Sequence, residues 1–370
     1  MTNLRIPGPT PCPPDVLEAL SQQMINHRGP EFAGLLERVT AGLRPFFQTQ
    51  NDIVIPTCSG SGIMEAAIVN TLSPGDAVLS ISIGAFGDRF ALIAETYGAD
   101  VTRVTAEWGN AAEPDMVREA LRAGSYKAVL ITHNETSTGV TNPLGPISEV
   151  IRAESDALIL VDAVSSMGCM PVPTDEWGLD VVVTGSQKGW EVPPGLAMAA
   201  VSEKAWQANE SATMPRFYLD LKKHKEMAAK GQTPFTPAIS IMYGLDVSLQ
   251  QMAQEGAEAI FARHARIANV AREGVKALGL EPFADERFAS NTVTAVKVPD
   301  GIDGKALTGI ARDKYDTVLA GGQAKLAGKI FRLGHLGWVN DEDITAAIDV
   351  LRQVLTDLDY AVPAPAAASS

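Results

Sequence analysis

The sequence predicts an α/β protein in which helices cover both faces of a mostly parallel seven-stranded sheet and a smaller α+β domain follows. Three observations predict this fold. Between about residues 50 and 205, short apolar runs alternate with helical patterns. The periodicity changes after residue 240, and polar or glycine-rich turns follow several of the apolar runs.

The sheet is predicted from its apolar runs, because near-continuous apolar strands are typical of a parallel sheet that is buried on both faces. The predicted strands are residues 53–56, 77–83, 101–104, 128–132, 157–164, 181–184 and 196–201. The helical patterns between them include residues 64–72, 86–97, 114–123 and 147–154. This alternation indicates strand–helix–strand units.

The domain division is predicted from chain length and from the change of pattern, since 370 residues exceed what one hydrophobic core usually supports. A long helical stretch from Tyr243 to about Leu278 leads out of the first domain. Weaker strand patterns at 293–298 and 330–333 precede a final helix at 341–358. We predict an N-terminal segment (1–20) that joins the small domain, a large domain (21–255), a small C-terminal domain (256–362) and a frayed tail (363–370).

Composition and charge exclude some functional classes. The net charge of −14 argues against nucleic acid or an anionic membrane as a partner, because those surfaces repel an acidic protein. No stretch approaches the ~20 apolar residues of a membrane span, and the N-terminus lacks the apolar core of a secretion signal. Cys12, Cys58 and Cys169 lie far apart without metal-ligand spacing, so we expect no metal site and a cytoplasmic protein.

A turn rich in glycine and serine follows the first predicted strand and leads directly into a helix. It contains Ser59, Gly60, Ser61 and Gly62. Glycines let backbone N–H groups approach an anion, and a helix N-terminus attracts negative charge. The turn is a phosphate cradle or an ordinary capped turn, and the two interpretations have equal weight. It has neither the Gly-Lys-Ser/Thr of a P-loop nor the spacing of a dinucleotide fingerprint.

Polar residues also stand at the ends of two later strands, where ligands of open α/β sheets bind. Residues 133–139 are dense in hydroxyl and amide groups, which suit a small polar ligand or an ordinary surface loop. Asp162 lies within the apolar run 158–164, where a carboxylate is expected to be paired. It suits Mg²⁺, a protonated heterocyclic nitrogen or the capping of the next turn.

Lys188 follows the strand 181–184 on a tight turn between Gly185 and Gly189. A single lysine at a strand end is usually solvated. A desolvated lysine instead has a lowered pKa and forms an imine with an aldehyde. Lysine, strand-end carboxylate and phosphate cradle are together the three anchors that pyridoxal 5′-phosphate requires. We therefore expect this cofactor, with Lys188 and Asp162 as the catalytic residues.

With these motifs the chain resembles the class V, fold type I PLP-dependent aminotransferases, in the branch of alanine–glyoxylate, serine–pyruvate and serine–glyoxylate enzymes. The resemblance extends over nearly the whole chain. It rests on residues 7–10, 59–62, 84–89, 132–139, 161–166, 185–188, 233–237 and 331–337.

The resemblance implies a role for each matching residue. Lys188 is the Schiff-base lysine and later the proton carrier, and Asp162 is the partner of the pyridine nitrogen. Arg332 clamps the substrate carboxylate, and Gly8 also binds the substrate. The cofactor-binding residues that it implies are Ser61, Gly62, Ile63, Phe86, Ser137, Val164, Gln187 and, from the neighbouring subunit, Thr236. A homodimer with shared active sites follows. Phe86 departs from the tryptophan or histidine of several relatives, and Thr233 replaces an aromatic phosphate contact.

The implied reaction is a ping-pong transfer of an amino group from alanine or serine to glyoxylate or pyruvate. An aspartate-using aminotransferase is an alternative, for which Arg28 is the candidate second clamp, although an ion pair with Glu31 or a partner carboxylate is favoured. A lyase or desulfurase of the same fold is a further alternative, which in the second case requires a reactive thiolate. A regulatory module without catalysis would lack the imine.

Overall fold

The structure is a computed structural model, and it describes residues 2–363. The predicted tail therefore lies outside the described residues, apart from Pro363. The first half of the chain contains β1 (Asn3–Arg5), α1 (Pro14–Ala19), α2 (Pro30–Phe47), β2 (Asp52–Val54), α3 (Gly60–Thr71), β3 (Ala77–Ser82), α4 (Ala85–Thr96), β4 (Asp100–Thr105), α5 (Pro114–Ala123), β5 (Ala128–Thr132), β6 (Asn134–Glu135), β7 (Val140–Thr141), α6 (Leu144–Glu154) and β8 (Leu158–Asp162).

The second half begins with the last two strands of the large sheet and ends in a helix. Its elements are β9 (Val181–Gly185), β10 (Ala197–Val201), α7 (Glu203–Ser211), α8 (Leu221–Ala228), α9 (Ile239–Glu255), α10 (Ala257–Ala277), β11 (Val293–Lys297), α11 (Gly304–Tyr315), β12 (Thr317–Gly321), β13 (Ile330–Gly334) and α12 (Asp341–Asp357).

The α/β fold with a mostly parallel seven-stranded sheet is confirmed. The strand order is β2-β10-β9-β8-β5-β3-β4, and β10 alone runs antiparallel to its neighbours β2 and β9. Strands β5, β8 and β9 are buried along their whole length, as the apolar runs predict. Their carboxyl ends meet at one edge of the sheet, which places the turns that follow them side by side.

A second sheet has the order β1-β12-β13-β11, so the N-terminal strand pairs with a strand from the C-terminal part of the chain. Helices α10, α11 and α12 pack on it around Phe331, Leu351 and Val354. The single helix expected from Tyr243 to Leu278 is wrong. Gly256, with a φ of 88°, separates α9 from α10 because its positive φ breaks the helical path.

The large sheet has a separate apolar cluster on each face. Phe46, Phe47 and Trp190 belong to one cluster, and Met64 and Phe90 belong to the other. No helix in the described part of the chain has the length and apolarity of a membrane span.

Candidate active site

A cavity of about 130 Å³ lies at the carboxyl edge of the large sheet. This volume has room for roughly ten water-sized groups, and so for a small planar ring with a charged arm. The segments that follow β2, β3, β5, β8 and β9 supply its walls. The lining residues are Ser59, Gly60, Ser61, Met64, Phe86, Arg89, Asn134, Thr136, Asp162, Val164, Ser165, Gln187 and Lys188.

A larger cavity of about 760 Å³ lies elsewhere, next to Arg5, Glu191 and Arg263. None of the predicted site residues, all of which the structure describes, lines it. The smaller cavity is therefore the candidate active site, because it collects the lysine, the aspartate and the glycine-rich turn that the sequence predicts.

The glycine-rich turn forms the N-terminus of α3. Ser59 is the N-cap residue, and its Oγ accepts a hydrogen bond from the Gly62 N–H at 3.4 Å. The Ile63 N–H donates to the Ser59 carbonyl at 3.0 Å, and the Ile63 side chain is buried in the core. Gly60 and Ser61, rather than Gly62 and Ile63, face the cavity. The first turn of α3 thus presents the positive end of a helix to the cavity.

Asp162 ends β8 and is only 4% exposed. Its Oδ1 accepts a hydrogen bond from the Val164 N–H at 2.9 Å, and its Oδ2 accepts one from the Thr132 hydroxyl at 3.3 Å. Burial raises the pKa of this carboxyl, while the two hydrogen bonds and the nearby cations Lys188 and Arg89 act in the opposite direction. A cationic group in the cavity would stabilise the ionised form.

Lys188 is held between the N-terminal segment and the sheet edge. Its Nζ donates a hydrogen bond to the Pro7 carbonyl, and a Cβ placed on Gly8 would lie 2.5 Å from that Nζ. Burial lowers the pKa of Lys188 to about 8, while Asp162 opposes the shift and Arg332 adds to it. Part of the amine is therefore neutral near neutral pH, as a nucleophile requires.

Phe86 and Arg89, near the N-terminus of α4, form one wall of the cavity. The Arg89 guanidinium lies over the Phe86 ring, 4.7 Å from its centre, and donates to the Ser61 Oγ at 3.1 Å. Sequence reasoning found Phe86 but missed Arg89. The signal was available, because residues three apart on a helix share a face.

Ser137 does not line the cavity, and its contact with the cofactor stays a prediction. Its side chain is fully buried, and its hydroxyl donates to Glu135 Oε1 at 2.6 Å and accepts from the Ala85 N–H at 2.9 Å. Thr136 lines the cavity instead, together with Asn134.

Arg332 and Thr236 also stand outside the cavity wall. Arg332 on β13 is 5% exposed and donates to two backbone carbonyls, Gly321 at 2.8 and 3.0 Å and Thr136 at 3.1 Å. Burial lowers its pKa to about 10. Thr236 is exposed on the segment before α9 and does not line the cavity of its own chain.

The residues present fit pyridoxal 5′-phosphate. Lys188 offers a partly neutral amine, and Asp162 offers a buried carboxylate at the end of β8. Gln187 Oε1 is buried and has no hydrogen-bond partner among the described residues, so the cavity has unused polar capacity beside the α3 N-terminus.

Comparison with known proteins identifies the family of the chain. Residues 2–324 match the family model described as aminotransferase class-V. The chain is 47% identical to a Synechococcus sp. protein named soluble hydrogenase, small subunit (96% of this chain, 94% of that protein). It is 38% identical to the L-aspartate–glyoxylate aminotransferase of Paracoccus denitrificans (95% and 91%) and 37% identical to the serine–glyoxylate aminotransferase of Methylorubrum extorquens (96% and 91%).

Solved structures agree with the sequence comparison. The crystal structure of an alanine–glyoxylate aminotransferase from Nostoc sp. superposes with a TM-score of 0.92 at 32% identity, covering 96% of this chain and 95% of that chain. The family model, two of these three relatives and the solved structure are aminotransferases, which agrees with the residues of the cavity. The chain therefore belongs to the class V aminotransferases.

Proposed function

We propose that this class V aminotransferase uses pyridoxal 5′-phosphate to transfer an amino group from alanine or serine to glyoxylate or pyruvate. The observation that carries the proposal is the meeting of Lys188, Asp162 and the α3 N-terminus in one cavity. When bound, the cofactor supplies an aldehyde that accepts the amino group and a protonated ring that withdraws electrons.

In this proposal each side chain has a role that follows from its surroundings. Lys188 holds the cofactor aldehyde and, once released, carries a proton to and from the substrate carbon, which its pKa of about 8 suits. Asp162 holds the ring nitrogen in its protonated form by charge-assisted hydrogen bonding. The first turn of α3, with Ser61 and Gln187 in the cavity wall, would hold the phosphate.

Arg332 is proposed as the clamp for the substrate carboxylate, since a guanidinium fork matches a carboxylate in shape and charge. Its three hydrogen bonds go to backbone carbonyls, and it forms no salt bridge with an acidic residue in the described part of the chain. Glu135 is the acidic group that raises the pKa of Arg332, whereas burial lowers it. A substrate carboxylate would supply a nearer negative charge.

Aspartate as the amino donor is the second candidate, supported by the 38% identity to an aspartate–glyoxylate enzyme. Arg28 forms no ion pair with Glu31 among the described residues. It donates instead to Gln232 Oε1 at 3.0 Å, to the Thr233 carbonyl at 2.7 Å and to the Pro234 carbonyl at 3.2 Å. Arg28 therefore contacts the segment that contains Thr236. The proposed dimer would bring this segment to the active site of the neighbouring subunit.

We propose a cytoplasmic homodimer in which Thr236 contacts the phosphate bound by the partner. The segments around it expose aromatic surface that a partner would cover. Phe217 is 71% and Tyr218 43% exposed, and both pack against Phe235, next to Thr236. Exposed aromatic clusters are typical of interfaces.

A desulfurase is disfavoured by the three cysteines. Burial raises the pKa of Cys12 to about 11 and that of Cys58 and Cys169 to about 12, and none of them lines the described cavity. A reactive cysteine needs the opposite shift. The hydrogenase name of the Synechococcus relative implies another reaction, but the cavity residues favour amino transfer.

A half-reaction screen tests the proposal. The cofactor-loaded protein is mixed with one amino acid at a time, and the 2-oxo acid and the aminated cofactor are quantified by mass spectrometry. We expect alanine or serine to give one oxo acid per site. Conversion by aspartate with no reaction of alanine or serine would establish the second candidate. Elimination or sulfide release without an aminated cofactor would overturn the transaminase proposal.

A further inference from the structure

We propose that Glu135 is a positioning residue for the reaction, which holds the Phe86 wall of the cavity in place from outside the cavity. The inference rests on the proposed cofactor site. Glu135 is fully buried and does not line the cavity, so contact with the cofactor does not explain its carboxylate. A buried carboxylate is costly unless its oxygens are satisfied.

The hydrogen bonds of this carboxylate go to Phe86, which lines the cavity, and to Gly87 and Ser137, which lie next to lining residues. Its Oε2 accepts from the Phe86 N–H at 2.9 Å and from the Gly87 N–H at 3.1 Å. Its Oε1 accepts from the Ser137 N–H at 3.0 Å and from the Ser137 hydroxyl at 2.6 Å. One side chain therefore joins the start of α4 to the segment after β5.

Helix α4 requires such an external cap. Its N-cap residue is Gly84, which has no side chain to accept the first N–H groups. Ser137 accepts from the Ala85 N–H, and Glu135 accepts from the next two N–H groups. A Cβ on Gly84 would lie 2.4 Å from the Glu135 Cγ, so the close approach requires glycine. The negative carboxylate also matches the positive end of the helix dipole.

The same segment reaches the proposed substrate clamp. Between Glu135 and Ser137, Thr136 lines the cavity and its carbonyl accepts from the Arg332 guanidinium. The charge of Glu135 also favours the protonated form of Arg332. A displacement of Glu135 would therefore move the ring wall and the clamp together.

The test compares Glu135→Gln with a matched buried carboxylate, Asp180→Asn. Asp180 is 5% exposed and also accepts from a backbone N–H (Ile159, 2.9 Å) and a hydroxyl (Ser202, 2.7 Å). It lies at the amino ends of β8 and β9, at the edge of the sheet opposite the cavity. In Glu135→Gln an NH₂ group replaces one acceptor oxygen and faces N–H donors.

We expect Glu135→Gln to weaken cofactor binding by about tenfold or more and to speed hydrogen exchange at the Phe86 and Gly87 amides. Asp180→Asn should change neither, although it lowers stability. In the background of Phe86→Leu, the effect of Glu135→Gln on cofactor affinity should shrink to less than about threefold, because both substitutions damage the same wall. If Glu135→Gln does not fold, Ser137→Ala removes the hydroxyl that joins Glu135 Oε1 to the Ala85 N–H, and it should speed hydrogen exchange at the Phe86 and Gly87 amides in the cofactor-free protein.

The proposal is overturned if Glu135→Gln binds the cofactor like wild type and keeps the two amides protected, or if Ser137→Ala in its place keeps them protected in the cofactor-free protein. It is also overturned if the losses from Phe86→Leu and Glu135→Gln add in full. Failure of the wild type to bind the cofactor would instead contradict the proposed function. Hydrogen exchange in the cofactor-free protein would still decide whether Glu135 holds Phe86.

Discussion

At the scale of single residues, Lys188 is distinguished from the other lysines by its desolvated position against the Pro7 carbonyl. Its pKa of about 8 lies below the ordinary value of 10.5, so we expect its amine to react at lower pH. Competitive acetylation of the cofactor-free protein, followed by peptide mapping, measures this. Lys188 should reach half of its maximal reactivity near pH 8, whereas exposed lysines need a pH near 10.4. A Lys188 profile that follows the exposed lysines would contradict the pKa.

Asp162 gives a second prediction. The burial that raises its pKa also means that the ionised carboxylate lowers the free energy of unfolding. Asp162→Asn should be at least as stable as wild type at pH 7 without cofactor. This gain should vanish below the ordinary pKa of 3.8, where the carboxyl is neutral in both the folded and the unfolded state. Cofactor affinity should nevertheless fall about 10- to 100-fold, because a charge-assisted bond is lost.

Urea unfolding at pH 7 and pH 3.5, with and without cofactor, separates the two effects. Equal affinity in Asp162→Asn and wild type would remove Asp162 from the proposed cofactor site.

The individual site residues were predictable where a strand end fixes their position. Asp162 ends a buried strand, and Lys188 and Ser61 stand on the turns that follow two others, and all three line the cavity. Thr136, which lines the cavity, was not identified, because Ser137 next to it offers the same hydroxyl and the sequence does not show which residue faces the cavity. Arg332 lies outside the cavity wall. Its contact with Thr136 depends on how the second sheet packs against the large sheet, which the sequence does not show.

At the scale of elements, the N-terminal segment links the small sheet to the Lys188 turn. Its strand β1 pairs with β12, and farther on the Thr10 N–H and hydroxyl donate to the carbonyls of Gln187 and Lys188, at 3.1 Å in each case. Between these contacts, Gly8 lies directly against the Lys188 side chain. The proposed anchor of the cofactor therefore depends on a segment far away in sequence.

Gly8→Ala tests this dependence. The new Cβ would meet the Lys188 Nζ at 2.5 Å, at a residue whose φ is +123°, so both strain and collision are expected. We expect a loss of about 1–3 kcal/mol in the free energy of unfolding and a cofactor affinity at least about tenfold weaker. Gly301→Ala is the control, since Gly301 also has a positive φ but open space around it. Cofactor binding by Gly8→Ala at the wild-type level would show that the segment does not position Lys188.

Among the elements, the buried strands were the easiest to predict, because their apolar runs are continuous. Helix α2, with Phe32 and Leu43 in the core, was not predicted, and neither was β12. The pattern from Tyr243 to Leu278 predicted one helix because its apolar spacing continues across Gly256, where the backbone breaks. Apolar spacing alone does not reveal a single glycine with positive φ.

At the scale of the whole molecule, the proposed dimer makes each active site depend on two chains. Thr236→Asp should weaken cofactor binding, because its charge would repel the phosphate. A dimer that combines Lys188→Ala in one chain with Thr236→Asp in the other should regain one intact site. We expect about half of the wild-type activity in purified hybrids and almost none in either parent. No recovery in hybrids, or a monomeric wild type in sedimentation, would contradict shared sites.

The central claim is that Lys188 is the covalent anchor of the cofactor. Borohydride reduction of the cofactor-loaded protein, followed by peptide mapping, tests it most directly, because reduction fixes the cofactor to the amine that holds it. We expect one labelled peptide, containing Lys188, and no label in Lys188→Ala. A label on another lysine, or none on a protein that transfers amino groups, would contradict the account.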